Sequence, residues 1–268
     1  MLVATNQQYR MESQQIPYTD APMSNTKNHF TPDAILWDFD GTLANSVAKN
    51  IAITKLILAR VAPRLTGDNL PDALNSEAAY QVANHAAENW RDLYREFFGL
   101  TKDEIEHAAP LWEPYQLSDR TAVPLFDGVV ETVRRLSHYP QGICSANATR
   151  NIQQVLQENG IGSAFRSVIG YERLPHHHQK PAPDGGLKCL EEIFGETRGR
   201  TIVYVGDHIA DVLFARNLGD RLGPSSRVVS VVITHSGAEP YLWRVQPDEV
   251  IENPATLIDV VHTWDGAS

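Results

Sequence analysis

A short apolar run, Ala34-Ile35-Leu36-Trp37, ends abruptly at Asp38-Phe39-Asp40-Gly41-Thr42. A continuous run bounded by polar and glycine residues predicts a strand buried on both faces. From about residue 45 to 123 the apolar positions recur at helical spacing instead. Ile51, Ile53, Leu56, Ile57 and Val61 make one helix, and Ala78 to Phe98 make another. A third runs from about Lys102 towards Leu117, with Pro110 and Pro114 expected to break or kink it.

After Pro124 strand and helix patterns alternate. Strands are expected at Gly142 to Ala146, Ser167 to Gly170, Thr201 to Val205 and Val228 to Ile233. Helices are expected at Gly128 to Leu136, Thr149 to Glu158, Pro183 to Phe194, Ala210 to Asn217 and Pro254 to His262. Asn159-Gly160 gives the second of these helices a stop, and Pro183 gives the third a first turn. Such alternation implies an α/β core with a parallel sheet covered on both faces. The helical stretch stands between the first strand and the rest, so residues 45–123 read as an insertion into a core of 31–44 and 124–268. Residues 1–30 are polar, rich in Gln, Asn and Thr, and without periodicity, which predicts a disordered extension.

Composition narrows the picture. With 268 residues, 42% of them hydrophobic, the chain suits one larger domain with an inserted unit. No apolar run approaches the length of a membrane span, and there is no secretory h-region. The formal charge of −10 argues against broad nucleic-acid or anionic-membrane binding, but leaves a small anionic substrate open. Cys144 and Cys189 lack metal or redox spacing and read as reduced core residues, so a cytoplasmic protein is expected.

In a doubly wound sheet, ligands bind beyond the carboxyl ends of the strands. Four polar clusters fall there: Asp38 and Asp40; Ser145-Ala146-Asn147; Lys180-Pro181; and Gly206-Asp207-His208 with Asp211. Singly most have bland readings. Ser145 could be a cap, Lys180 a solvated lysine, and Asp207 with Asp211 a helix start and a surface residue. Asp-x-Asp-Gly-Thr could be a turn, but after a buried strand it matches by chance only about once in 10⁵ positions or fewer. The order and strand-end placement of the four clusters point to one crevice.

With these residues the chain resembles the haloacid dehalogenase-like hydrolase superfamily, and within it the phosphoglycolate-phosphatase-like group with a helical cap. Asp38-Phe39-Asp40-Gly41-Thr42-Leu43 is similar to its first motif and Ser145 to its second. Lys180-Pro181 is similar to the third, and Gly206-Asp207-His208-Ile209-Ala210-Asp211 to the fourth. The resemblance covers roughly residues 33 to 263. It implies a Rossmann-like core, and Mg²⁺-dependent hydrolysis of a small phosphate monoester through an aspartyl-phosphate. Asp38 would be the nucleophile and Asp40 the acid and base. Mg²⁺ would be held by the Asp38 side chain, the Asp40 carbonyl and Asp207, with Asp211 behind them. Thr42, Ser145, Asn147 and Lys180 would hold the phosphate.

Chemistry agrees with those roles. An anion attacking an anion needs charge compensation, and a hard cation with oxygen ligands supplies it. A phosphomutase would use the same carboxylates, and a phospho-ligand-binding module would need no turnover. Carbon–halogen cleavage is disfavoured, because halide departure needs no acid at Asp40. Two departures from the family pattern, Ala44-Asn45-Ser46 and His208, bear on substrate choice.

Three further features invite chemistry and have simpler readings. His176-His177-His178 reads as a loop beside Lys180 rather than a metal tract. Arg91 and Arg95 read as a solvated face, with Glu88 in ion-pair reach of Arg91. Trp90 and Tyr94 read as core.

Overall fold

The four residues of β1 (Ala34–Trp37) are all buried, because this strand lies inside a sheet covered on both faces. The structure, a computed structural model, describes residues 30–265. The expected extension lies outside them except for Phe30, which stacks on Trp264 with ring centroids 4.9 Å apart. The other strands are β2 (Gln141–Cys144), β3 (Phe165–Ile169), β4 (Thr201–Gly206), β5 (Arg227–Ile233) and β6 (Glu249–Ile251). Their order is β3-β2-β1-β4-β5-β6, and every pairing is parallel. Trp37 lies opposite Ile143 on one side and Val205 on the other. The register therefore brings the ends of β1, β2 and β4 to one edge of the sheet.

Strand alternation divides the core into two layers. Ile35 and Trp37 pack with α6 (Val129–Arg135), α7 (Thr149–Glu158) and α10 (Pro254–Asp265). Ala34 and Leu36 pack on the opposite face with α8 (Asp184–Phe194) and α9 (Ile209–Leu222). Cys144 and Cys189 are free thiols buried in that second layer.

Between β1 and α6 the chain forms a helical block with its own apolar cluster. It comprises α1 (Val47–Val61), α2 (Glu77–Ala86), α3 (Trp90–Asp92), α4 (Lys102–Ala108) and α5 (Trp112–Ser118). The helix expected over Ala78 to Phe98 is broken. Ala87 is extended, and Asn89 starts α3 by accepting the Arg91 and Asp92 N–H groups at 2.9 and 3.1 Å. A π-helical turn, Leu93–Phe97, follows α3. Pro110 falls in a tight turn between α4 and α5, but Pro114 causes no break. It stands in the first turn of α5, where no intrahelical N–H is required. β2 stops at Cys144 rather than Ala146, because Ser145-Ala146-Asn147 bends towards α7. β6 had no counterpart in the sequence reading; it is a three-residue edge strand beginning with a glutamate.

Candidate active site

Asp38 leaves β1 with its backbone still pinned, its N–H donating to the Val205 carbonyl at 2.8 Å. Three residues on, the chain turns sharply at Gly41, which has φ +76°. A Cβ there would lie 2.1 Å from Asp207 Oδ2, so the close approach of the two loops demands glycine. The turn brings Thr42 Oγ1 to donate to Asp207 Oδ1 at 3.3 Å. Asp40, partly exposed, accepts Asn147 Nδ2 on both carboxylate oxygens at 3.0 Å.

Lys180 reaches into the same crevice ahead of α8. Its ammonium sits 2.8 Å from Asp38 Oδ1, 2.5 Å from Asp211 Oδ1 and 2.9 Å from the Tyr204 hydroxyl. Its three donors thus meet three acceptors. The second Asp211 oxygen accepts the N–H groups of Asp207 and His208 at 3.1 and 2.9 Å, closing the start of α9. Tyr204 in β4 read only as part of an apolar strand. A fully buried phenol must find polar partners, and that is the signal which could have marked it.

The crevice holds more negative charge than it compensates. One ligand atom from each of Asp38, Asp207 and Asp211 lies within 4.8 Å of the others, and all three residues are buried. Burial, opposed by Lys180 and reinforced by Asp211, pushes Asp38 up to about 7. Burial, with Asp211 and Asp38 adding to it, holds Asp207 well above the usual carboxylate range. Asp40 is also raised by burial, with bonds from Ser46 and Asn147 pulling the other way. Burial disfavours the charged form of Lys180, but Asp211 and Asp38 outweigh it and raise its pKa. A hard divalent cation with oxygen ligands fits this donor set and would relieve the repulsion.

The helical block meets this crevice from α2. His85 Nε2 donates to the Ser236 carbonyl at 3.2 Å and lies 3.3 Å from the Ser236 hydroxyl. Ser236 Oγ in turn donates to Asp207 Oδ2 at 2.8 Å, and His85 Nε2 is 3.9 Å from that same oxygen. His208 Nδ1 accepts the Ala210 N–H at 3.2 Å, so its proton is on Nε2, which donates to the Asn84 carbonyl at 3.1 Å. Burial lowers the pKa of both rings, that of His85 to about 4. His235 completes the rim, with Nε2 donating to the Gly41 carbonyl at 3.0 Å. Sequence reasoning passed over His85, Ser236 and His235, because a lone histidine or serine carries no local pattern.

All eight residues expected at the site lie around this crevice, though not in equal contact. Asp38, Lys180, Asp207 and Asp211 form its floor, with Thr42 bonded to Asp207. Asp40 and Asn147 pair beside them. Ser145 is buried at the end of β2, where its hydroxyl accepts the Asn147 N–H at 3.3 Å. The Asp40 side chain stands outside the carboxylate cluster, so only its carbonyl is open to the metal role expected of it. Away from the floor, His178 Nδ1 pairs with Asp184 Oδ1 at 2.6 Å. Arg91 meets Glu106 at 2.7 Å, while Glu88 meets Arg244 at 3.1 Å. Tyr94 is core, and Trp90 is partly buried against that cluster.

Among the described residues no helix is long and apolar enough to cross a membrane. A family model described as haloacid dehalogenase-like hydrolase matches residues 35–222. Phosphoglycolate phosphatase 1 of Pseudomonas aeruginosa is 27% identical over 71% of this chain and 68% of its own length. The N-acetylmuramic acid 6-phosphate phosphatase of that organism is 24% identical over 85% and 94%. Among solved structures, a haloacid dehalogenase-like family hydrolase from Streptococcus pneumoniae superposes with a TM-score of 0.62 at 20% identity. That match covers 85% of this chain and 98% of the other.

Proposed function

The chain belongs to the haloacid dehalogenase-like hydrolase family and is a phosphatase, and we propose that it hydrolyses a small phosphate monoester through a phosphorylated Asp38. The observation that carries this reading is the Asp38 carboxylate, fixed on a strand end by Lys180 at 2.8 Å with Asp40 two residues away. Asp38 attacks phosphorus in line, and the bond from phosphorus to the leaving oxygen breaks. Asp40 gives its proton to that oxygen, then takes one from the water that attacks phosphorus in the second step. That attack breaks the bond between phosphorus and Asp38, releasing inorganic phosphate and returning both carboxyl groups to their starting states.

Mg²⁺ suits the site: the Asp38 and Asp207 side chains and the Asp40 carbonyl would hold it, and when bound it offsets charge on the phosphoryl oxygens. Lys180 adds a fixed positive charge at the same place. Thr42, Ser145 and Asn147 are the groups we assign to holding the phosphate. The helical block acts in this reading as a cap over the site, and substrate choice rests there. Phosphoglycolate and N-acetylmuramic acid 6-phosphate, named for the relatives, are the first substrates to try.

Acid-quenched mass spectrometry during turnover of 4-nitrophenyl phosphate with Mg²⁺ tests the scheme. Asp38→Asn is expected to abolish both turnover and adduct. Asp40→Asn should release about one equivalent of nitrophenolate quickly and then stall with phosphate on Asp38. Undiminished steady turnover by either variant would sink the assignment.

A further inference from the structure

A run of hydrogen bonds links the helical block to Asp40, and the reaction scheme leaves its far end unused. It starts at Lys49 on α1, a lysine only 8% exposed. The Lys49 ammonium donates to Asn151 Oδ1 at 3.3 Å, across 102 residues of chain. Asn151 Nδ2 donates to Asn147 Oδ1 at 3.0 Å, and Asn147 Nδ2 donates to both oxygens of Asp40.

Either amide could be turned over, exchanging its donor and acceptor ends. Lysine cannot: an ammonium has three donors and no acceptor. Asn151 must therefore present its oxygen to Lys49, which leaves its NH₂ facing Asn147. Asn147 must answer with its oxygen, which also accepts the Ala148 N–H at 2.7 Å. The NH₂ of Asn147 is then turned onto Asp40. The direction of the run is set by donors at two points: Lys49 fixes the Asn151 amide, and the Ala148 N–H together with Asn151 fixes that of Asn147.

We propose that Lys49, acting through Asn151 and Asn147, is a positioning residue that holds the Asp40 carboxyl group in one orientation for proton transfer. This rests on the reading of Asp40 as the acid and base. It also makes the acid's orientation depend on a residue of α1.

The test uses the full chain with Mg²⁺ and two aryl esters, phenyl phosphate and 4-nitrophenyl phosphate. Phenolate is the more basic leaving group, so its departure needs the acid more. The value of kcat/KM reports the first phosphoryl transfer, and the inhibition constant of inorganic phosphate reports binding alone. Lys49→Met should lower kcat/KM on phenyl phosphate about tenfold more than on 4-nitrophenyl phosphate, a fraction of what a general acid contributes. Inhibition by phosphate should stay within about twofold, and Lys49→Arg should restore most of the loss.

Asn151→Asp is the sharper variant and decides the matter if Lys49→Met does not fold. Its carboxylate still accepts from Lys49 but cannot donate to Asn147, so the same leaving-group dependence is expected. Equal losses on both esters, or a change in phosphate inhibition alone, would overturn the proposal. Asp40→Asn, with the rate of its single burst measured on both esters, separates the two ideas. If it too loses activity equally on both esters, the acid assignment itself fails; if it discriminates while the Lys49 and Asn151 variants do not, only the positioning role falls.

Discussion

Two lysines, Lys49 buried and Lys180 nearly so, reach different carboxylates of one crevice from different parts of the molecule, and the chain uses them differently. Lys180 belongs to the core and sits between Asp38 and Asp211 at 2.8 and 2.5 Å. Lys49 belongs to the helical block and donates to an amide oxygen at 3.3 Å. The core thus supplies one cation for part of its own charge, and the block supplies orientation. Asp38, held by a lysine of the core, keeps that contact without any residue of the block.

Removing each ammonium is the strongest way to break that contrast. Lys180→Met leaves two buried carboxylates without their partner and should cost about 3–5 kcal/mol in urea unfolding. Lys49→Met frees only an amide and should cost about 0.5–1.5 kcal/mol. Equal costs would mean that the two lysines do the same work.

The next effect concerns pH. Asp38 has a folded-state pKa of about 7, raised from 3.8 mainly by burial, and Asp207 is raised as well. Between those values the folded state binds more protons than the unfolded one, so both groups make stability fall as pH rises. In chelator, Asp38→Asn should therefore gain on the native protein between about pH 4 and pH 7, by up to roughly 4 kcal/mol. Mg²⁺ should raise the native Tm more at pH 8 than at pH 5, because its ligands are then ionised. A Mg²⁺ effect independent of pH would place the metal elsewhere.

The smallest expected effect tests the other contact made by the block. Ser236→Ala removes the donor to Asp207 and should weaken Mg²⁺ binding about tenfold by calorimetry, and His85→Ala should weaken it less. A larger loss from His85 would mean that α2 helps to hold the metal ligand as well as covering it.

What the sequence disclosed follows the same division. Asp38, Asp40, Thr42 and Asp207 were legible because each lies just beyond a buried strand, and parallel topology carries strand ends to one edge. Lys180 was legible only through company, since a lone lysine before a proline says little. His85 and Ser236 could not be read, because they meet across 151 residues through packing that no local pattern encodes. The helix from Ala78 to Phe98 was overextended for a related reason: its apolar spacing continues through Asn89, and only capping geometry shows that a new helix starts there. The spacing puts Glu88 in ion-pair reach of Arg91, but Glu88 falls in the break ahead of α3 and meets Arg244.

The place of β1 in the sheet bears on how the chain is made as well as on what it does. Its two neighbours are β2, beginning at residue 141, and β4, beginning at residue 201. β1 is made before both, and it gains its second hydrogen-bonded neighbour only after about 160 further residues have emerged. Pairings so distant in sequence slow folding, and until they form an apolar strand has both edges bare. The helical block, with an apolar cluster of its own, is complete in sequence well before then. Synthesis at low temperature or with added chaperone should therefore raise the soluble yield of this protein more than changes to its surface would.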